Sequence, residues 1–133
     1  MSLYLLDSCV LIDVLRGRED RVAGVRRLVE GGGSLACCDV VVVEVLGGMR
    51  RSERDATMDL VDSLEYLVLS SAGAIRAGEW RTAFRQKGVT LSTADCIIAA
   101  VADEHSATLV TGNVAHYPEP GLNLMPADGL TPP

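Results

Sequence analysis

Short apolar segments alternate with longer segments of helical periodicity along most of this sequence, and this alternation limits its fold more than any other feature. Five short segments predict strands, the last of them only weakly: residues 4–6, 34–38, 66–69, 108–111 and 122–125. Strands that alternate with helices form a mostly parallel sheet covered by helices on both faces. The sequence therefore predicts an α/β fold with three layers, α/β/α.

The intervening segments have the apolar spacing and the end signals of helices. We predict five complete helices and the start of a sixth: residues 8–17, 19–30, 40–50, 54–65 and 72–87, then a helix from Ser92. Gly17, Gly31 and Gly88 stand at the ends of three of them, as is typical of helix C-termini. Asp39 is placed to cap the third helix. In such folds, functional side chains lie beyond the carboxyl ends of the strands.

The length of 133 residues favours one compact domain over residues 1–133. Hydrophobic residues make up 48% of the chain, yet no apolar run reaches the roughly 18 to 20 residues that a membrane span needs. The N-terminus reaches Asp7 without the basic start and long apolar stretch of a secretory signal. We therefore expect a cytoplasmic protein without a membrane partner. The four cysteines lack metal-site spacing, and we expect free, buried thiols.

The charge balance is acidic, with a formal net charge of −6. Such a chain exerts no long-range attraction on a polyanion, so a nucleic acid would have to be held by local arginines or through a metal ion. All of the 12 basic residues except Lys87 are arginines, which suit bidentate phosphate contacts but also fit a genome rich in arginine codons. Arg16, Arg50 and Arg51 are candidate phosphate contacts, or else part of a solvated face.

Three carboxylates occur where strand ends and helix starts would carry them to one edge of the sheet. Asp7 ends the first strand, Glu44 stands one turn into a helix within an apolar run, and Asp95 lies in the first turn of the sixth helix. Asn113, after the fourth strand, is a further polar candidate. Crowded carboxylates repel one another until a cation neutralises them, and hard oxygen ligands select Mg²⁺ or Mn²⁺ over zinc. A bound ion would orient water and stabilise charge on a phosphate.

Each of these residues also has a purely structural interpretation. Asp7 is typical of a helix N-cap, and Asp95 completes a Ser-x-x-acid capping box with Ser92. Glu44 could face solvent on an amphipathic helix, and Asn113 follows a glycine as turn residues often do. Only their joint placement favours a functional site.

Four segments, in order, resemble the successive motifs of the PIN-domain nucleases, and among these the VapC-type toxins of bacterial and archaeal toxin–antitoxin pairs: residues 5–13, Glu44 with Gly47, residues 93–100 and residues 111–117. The resemblance implies a PIN-like α/β/α domain that cleaves RNA as an endoribonuclease dependent on Mg²⁺ or Mn²⁺. It further implies a homodimer and a small antitoxin that covers the site. The family's acidic positions carry over onto Asp7, Glu44 and Asp95 as catalytic and metal-binding residues, and its fourth polar position onto Asn113.

Three positions depart from the family's pattern. This chain has Cys9 where the family often has Asn or Ser, Asn113 where it often has Asp, and His116 where it often has an acid. Fewer carboxylates imply a weaker or a single metal site. His116 is either a phosphate contact or a loop residue, and Ser8 either orients a ligand or assists the helix cap. A catalytically inactive PIN-like module that binds RNA or protein is therefore the alternative.

Two other families that gather acids around Mg²⁺ fit less well. Haloacid-dehalogenase phosphatases need an acid at the position of Cys9. Receiver-type signalling modules need adjacent N-terminal acids and a lysine after a late strand, whereas Lys87 lies in a predicted helix. Chemistry of the RNase A type needs two histidines with a lysine, and His105 and Lys87 belong to separate elements. The residues support a metal-dependent reaction.

Overall fold

The strands of this protein form one parallel sheet. The computed structural model describes residues 2–130, and within them five strands pair in the order β3-β2-β1-β4-β5. Leu5 at the centre pairs with Ala36 on one side and with Leu109 on the other, and all four strand pairs are parallel. The strands are β1 Leu3–Leu6, β2 Ser34–Cys38, β3 Glu65–Leu67, β4 Thr108–Thr111 and β5 Leu124–Pro126. The predicted α/β fold is confirmed.

Helices connect four of the strands, and each predicted helix is present. They are α1 Ser8–Leu15, α2 Glu19–Glu30, α3 Asp39–Gly48, α4 Arg54–Asp62, α5 Ser71–Gln86 and α6 Thr93–Glu104. Short 3₁₀ segments lie at Arg51–Glu53, Val114–His116 and Ala127–Leu130. From β1 the chain adds β2 and then β3 toward one edge of the sheet. It then crosses back over the sheet to add β4 and β5 on the other side of β1. Because parallel crossovers are right-handed, this reversal places α1 to α4 on one face and α5 and α6 on the other.

The strand order reverses between β1 and β4, which lie side by side at the centre of the sheet. In open parallel sheets, ligands bind beyond the carboxyl ends of the strands at such a reversal. Asp7 follows β1 directly, and its backbone N–H donates to the carbonyl of Val110 in β4 at 2.9 Å. The first predicted site residue therefore lies at the edge where this fold class binds its ligands.

The hydrophobic core fixes the elements that carry this edge. Leu5, Ala36 and Leu109 are fully buried in the three central strands, and Val10 and Leu11 of α1 pack into the same core. Every residue of α6 from position 98 to position 102 is buried. Each large aliphatic side chain so buried stabilises the fold by about 1.5–3 kcal/mol. This packing fixes α1 and α6 against the sheet, with the first turn of each helix near the carboxyl ends of β1 and β4.

The start of α3 differs from the sequence prediction. Cys38 occupies the N-cap position in an extended conformation and makes no side-chain cap hydrogen bond, so Asp39 is already the first residue of the helix. The expectation that Asp39 caps α3 was wrong. The reason is that β2 runs into α3 without an intervening loop residue. The Asp39 carboxylate instead accepts a hydrogen bond from the hydroxyl of Tyr66 in β3.

The cysteines bear out the expectation of free thiols. All four are unpaired: Cys37, Cys38 and Cys96 are buried, and Cys9 is half-buried beside the strand ends. Burial raises the pKa of Cys37 to about 11, so this thiol stays protonated near neutral pH. None of the helices within residues 2–130 combines the length and the apolar character that a membrane span requires.

Candidate active site

Asp7 is a buried carboxylate with a full set of local partners. It is only 5% exposed, at the N-cap of α1. One carboxylate oxygen, Oδ1, accepts from the backbone N–H of Ser8 at 2.8 Å. The other, Oδ2, accepts from the hydroxyls of Thr111 and Tyr117, each at 2.8 Å. Three donors offset the desolvation of a buried charge, so Asp7 is both a helix cap and a fixed carboxylate at the strand reversal.

Tyr117 joins two of the predicted acids. Its side chain is 2% exposed, and its hydroxyl lies 2.8 Å from Asp7 Oδ2 and 3.4 Å from Asp95 Oδ1. Burial, with the nearby charges of Asp7 and Asp95, raises the pKa of Tyr117 far above its ordinary range. The phenol therefore keeps its proton. Because a phenol has a single proton, it donates chiefly to Asp7 at the shorter distance, and its contact with Asp95 is the weaker of the two.

Asp95 lies in the first turn of α6 without acting as its cap. Ser92 is the N-cap, and its hydroxyl accepts from the backbone N–H of Asp95 at 3.0 Å. The reciprocal bond of a capping box, from the Ser92 backbone to the Asp95 carboxylate, is not among the hydrogen bonds of residues 2–130. The carboxylate instead faces Tyr117 with one oxygen and His116 with the other, at 3.7 Å from His116 Nδ1. The purely structural interpretation accounts for Ser92 and not for the Asp95 side chain.

Glu44 approaches the same site from α3. Partial burial raises its pKa, a hydrogen bond from the Ser8 side chain lowers it, and the charges of Asp7 and Asp95 raise it further. The net result is a pKa above the ordinary value for glutamate. The Glu44 residue as a whole is exposed, unlike Asp7. Asp7 and Asp95 therefore share Tyr117, and Glu44 stands where the charges of both aspartates raise its pKa.

Asp7 and Asp95 carry carboxylate oxygens, the kind of ligand that a hard divalent cation such as Mg²⁺ prefers. The carboxylates of Asp7 and Asp95 both contact the Tyr117 hydroxyl, and their charges raise the pKa of Glu44. Among residues 2–130, no three or more acidic, thiol or imidazole groups are already arranged to hold a metal ion. Magnesium in proteins takes one or two carboxylates and completes its shell with water and substrate phosphates. Two aspartates are therefore a sufficient donor set, and their oxygens are the preferred kind.

The fourth polar position is less closely tied to the carboxylates. The backbone N–H of Asn113 donates to the Thr111 hydroxyl at 3.0 Å, and the Asn113 side chain is exposed. No hydrogen bond within residues 2–130 involves that side chain. His116 is also exposed and contacts the cluster only through Asp95. Thr111 links this loop to Asp7, so the loop after β4 forms one wall of the site.

The three candidate arginines lie outside the carboxylate cluster. Arg16 follows the last residue of α1, where it lines a small crevice with Ile12 and Met49. Arg50 and Arg51 begin the 3₁₀ segment after α3, and the Arg50 backbone N–H donates to Glu53 at 2.8 Å. All three arginines are exposed, and within residues 2–130 none pairs with Asp7, Glu44 or Asp95. Their exposed positions leave them accessible to a large ligand.

Sequence reasoning missed two buried residues of this region. Tyr117 was noted only as the last residue of a motif, although a tyrosine that becomes buried needs a partner for its hydroxyl. Glu119 gave no signal between its two flanking prolines. It is 4% exposed, and within residues 2–130 neither of its carboxylate oxygens has a hydrogen-bond partner. Burial raises its pKa, its own backbone N–H opposes this, and the charge of Asp95 adds to it.

Comparison with known proteins agrees with this geometry. The family model for the PIN domain matches residues 4–117, a range that contains Asp7, Glu44, Asp95 and Asn113. Ribonuclease VapC10 of Mycobacterium tuberculosis is 34% identical over 119 residues, which are 87% of this chain and 86% of that protein. Ribonuclease VapC2 of Rickettsia felis is 26% identical over 120 residues, 86% of this chain and 90% of that protein.

Solved structures show the same fold. VapBC2 from Rickettsia felis, bound to a DNA fragment from its promoter, has a chain with a TM-score of 0.80 and 24% identity, covering 93% of this chain and 98% of its own. DNA-bound VapBC from Salmonella typhimurium has a chain with a TM-score of 0.80 and 19% identity, covering 96% and 99%. The motif order, the fold and a family model that spans residues 4–117 lead to one assignment: this chain belongs to the PIN domain family.

Proposed function

We propose that this chain is an endoribonuclease that acts as the toxin of a toxin–antitoxin pair and hydrolyses phosphodiester bonds in RNA. The observation that carries the proposal is the approach of Asp7 and Asp95 to one buried phenol at the strand reversal. Among the relatives, the protein with 34% identity is named a ribonuclease, and its match covers 87% of this chain.

In this proposal, Asp7 and Asp95 hold one Mg²⁺ or Mn²⁺ ion, with Glu44 and Asn113 at its margin. The ion supplies an activated water and stabilises charge on the phosphate. The roles of the protein's own side chains follow from their contacts. Asp7 is kept in place by its three donors, whereas Glu44 stands at the exposed side, where water and RNA have access. The backbone N–H of Ser8 orients Asp7, and the Ser8 side chain lowers the pKa of Glu44.

An RNA-cleavage assay on the purified protein tests this function. We expect cleavage to need added Mg²⁺ or Mn²⁺ and to disappear in excess chelator. Asp7→Asn should lower cleavage by about a hundredfold or more, since the loss of even an outer partner of a metal site costs about 10- to 100-fold. Asp59→Asn is the control, because Asp59 is an exposed aspartate on α4. Cleavage that continues unchanged in chelator would contradict the metal mechanism.

The exposed amide of Asn113 favours the second candidate, an inactive PIN-like module that binds RNA or protein. An amide in place of a carboxylate reduces the negative charge available to a cation. The same assay separates the two candidates. A protein that binds Mg²⁺ and RNA but leaves the RNA intact at all metal concentrations is the module. A protein that cuts RNA is the nuclease.

The assembly is also part of the proposal. Solved neighbours include a toxin–antitoxin complex from Klebsiella pneumoniae with a TM-score of 0.74. We expect a small antitoxin that covers the carboxylate site of this chain, a homodimer of the free toxin, and a cytoplasmic location. Light scattering should give about twice the chain mass of 14.1 kDa. A bound antitoxin should abolish RNA cleavage in proportion to the toxin it occupies, and cleavage by the saturated complex would contradict its role.

A further inference from the structure

The two carboxylate oxygens of Asp7 differ in how many hydrogen bonds they accept, and therefore in how many lone pairs remain free. A carboxylate offers about four lone-pair directions, two on each oxygen. On Oδ2 both are taken, by the hydroxyls of Thr111 and Tyr117. On Oδ1 one is taken, by the backbone N–H of Ser8. One lone pair on one oxygen therefore remains for a cation.

Tyr117 holds this arrangement more firmly than a surface hydroxyl would. Its ring is 2% exposed in the core, so the hydroxyl cannot turn away to solvent. A phenol carries its proton at neutral pH and can donate it. Its one proton goes to Asp7, and the contact to Asp95 is longer, at 3.4 Å. The phenol thus acts on Asp7 as a permanent donor.

We propose that Tyr117 is a positioning residue that restricts Asp7 to single-oxygen coordination and thereby makes the site select Mg²⁺ over Ca²⁺. The proposal rests on the metal-dependent function proposed above. Mg²⁺ takes single oxygens at about 2.0–2.1 Å in near-ideal octahedral geometry, whereas Ca²⁺ at about 2.3–2.6 Å readily accepts both oxygens of one carboxylate. A cation that chelates Asp7 through both oxygens must displace a buried hydroxyl. The affinity for Ca²⁺ is therefore reduced more than the affinity for Mg²⁺.

Metal binding without RNA tests the proposal on Tyr117→Phe, which keeps the ring and removes only the hydroxyl. Mg²⁺ and Ca²⁺ are titrated separately into the full chain by calorimetry, and melting temperatures in chelator and in each metal report folding. We expect Mg²⁺ affinity to fall by about tenfold, as for other outer partners of metal sites. Ca²⁺ affinity should stay constant or rise, so the ratio of the two affinities should fall by about tenfold or more.

Two further variants make the result interpretable. Tyr66→Phe is the matched control, because it also removes a tyrosine–aspartate hydrogen bond, at an exposed position on β3, and should leave the ratio unchanged. Thr111→Val removes the other hydroxyl from the same Asp7 oxygen and should shift the ratio in the same direction as Tyr117→Phe. Thr111→Val also decides the question if Tyr117→Phe fails to fold.

The outcomes separate this proposal from the proposed function. An unchanged ratio in both site variants, or equal weakening of both metals, overturns the role of Tyr117 while wild-type cleavage in Mg²⁺ still stands. Wild-type protein that binds neither metal overturns the metal-dependent function and the role of Tyr117 together. A selective loss of Mg²⁺ binding supports the role, because a purely structural side chain would not distinguish two divalent ions.

Discussion

At the scale of single residues, Asp95 is the position where structural and functional roles predict opposite changes in stability. Its carboxylate faces the Tyr117 oxygen, and its charge raises the pKa of Glu44 and of Glu119. In Asp95→Asn, the amide can donate to the phenol oxygen and the repulsion disappears. We expect the variant to be as stable as wild type in chelator, or more stable by up to about 1 kcal/mol.

Thermal melts in chelator and in Mg²⁺ check this expectation. The rise in melting temperature that Mg²⁺ gives by binding the folded wild type should be largely lost in the variant. The control is Asp55→Asn, which removes an exposed acid from the first turn of α4 and should lose about 0.3–1 kcal/mol of helix-dipole stabilisation. An Asp95→Asn protein that melts lower in chelator and still responds to Mg²⁺ would show that Asp95 only supports its helix.

Glu119 gives a pH-dependent prediction. Because burial raises its folded pKa, its contribution to stability is present in full below the unfolded value and is lost as pH rises through the folded pKa. The wild-type fold is therefore less stable at a pH above the folded pKa of Glu119 than at a pH below its unfolded pKa. Glu119→Gln stays neutral, and we expect it to gain on the order of 1 kcal/mol near pH 7, with the gain vanishing at about pH 4.

Denaturant melts of the two proteins across this pH range measure the difference. Glu79→Gln on the exposed face of α5 is the control and should show no such pH dependence. A Glu119→Gln protein that is less stable than wild type near neutral pH would mean that the charged carboxylate has a stabilising partner.

The residues of the site divide into those that the sequence could reveal and those that it could not. Asp7 and Asp95 were predictable because a strand end and a helix start fix their positions. Glu44 was predictable because a charge within a run of valines needs a reason. Tyr117 and Glu119 belong to an irregular loop after β4, whose path no periodicity describes. Their burial depends on how that loop folds back over α6, which only the tertiary structure shows.

At the scale of elements, two glycines give opposite responses to one substitution. A Cβ on Gly33, between α2 and β2, would lie 2.4 Å from the Tyr4 ring and 2.8 Å from the Leu28 carbonyl oxygen. A Cβ on Gly78 in α5 would meet nothing within 4 Å. We expect Gly33→Ala to destabilise the protein by about 1–3 kcal/mol, because backbone must shift. Gly78→Ala should stabilise it by about 0.5–1 kcal/mol through helix propensity.

Urea melts of the two variants provide this comparison, with wild type between them. Equal stability of both variants would mean that the turn between α2 and β2 adjusts without strain. The pair also tests whether α2 is fixed against β1, since Tyr4 is the β1 side chain that limits the space at Gly33.

The elements themselves were largely predictable, and their misplaced bounds have a common cause. The three inner strands were placed within a residue of their observed bounds because each has a continuous apolar segment at its centre. The edge strands β3 and β5 are each three residues long and differ from the predicted ranges by up to two residues at either end. An edge strand ends where its single neighbour stops pairing, and sequence does not show that point. The burial of Arg21 in α2 could not be predicted either. In the sequence an arginine indicates a surface position, and its ion pairs with Asp13 and Asp128 appear only in the structure.

At the scale of the whole molecule, a net charge of −6 opposes the binding of RNA, so local arginines or a bound metal ion would have to hold the phosphates. We expect Arg50→Gln with Arg51→Gln to weaken RNA binding and to reduce the salt dependence of the affinity, because fewer counterions are released. Affinity at several salt concentrations, measured on an Asp95→Asn background to prevent cleavage, checks this. Arg85→Gln is the control, because it removes one exposed arginine from α5, which carries none of the candidate site residues. An unchanged salt slope would assign the two arginines to a solvated face.

The partners of Asp7 also set the moment in synthesis at which the site comes into being. Two of the three donors to Asp7 lie 104 and 110 residues further along the chain, so they are made long after it. β1 also waits for β4, its neighbour at the centre of the sheet. A nascent chain arrested after residue 106 carries Asp7, Glu44 and Asp95. It lacks β4 and the two hydroxyls that hold the Asp7 carboxylate. On a ribosome, itself built of RNA, this proposed ribonuclease therefore has no assembled carboxylate site until Tyr117 has been made.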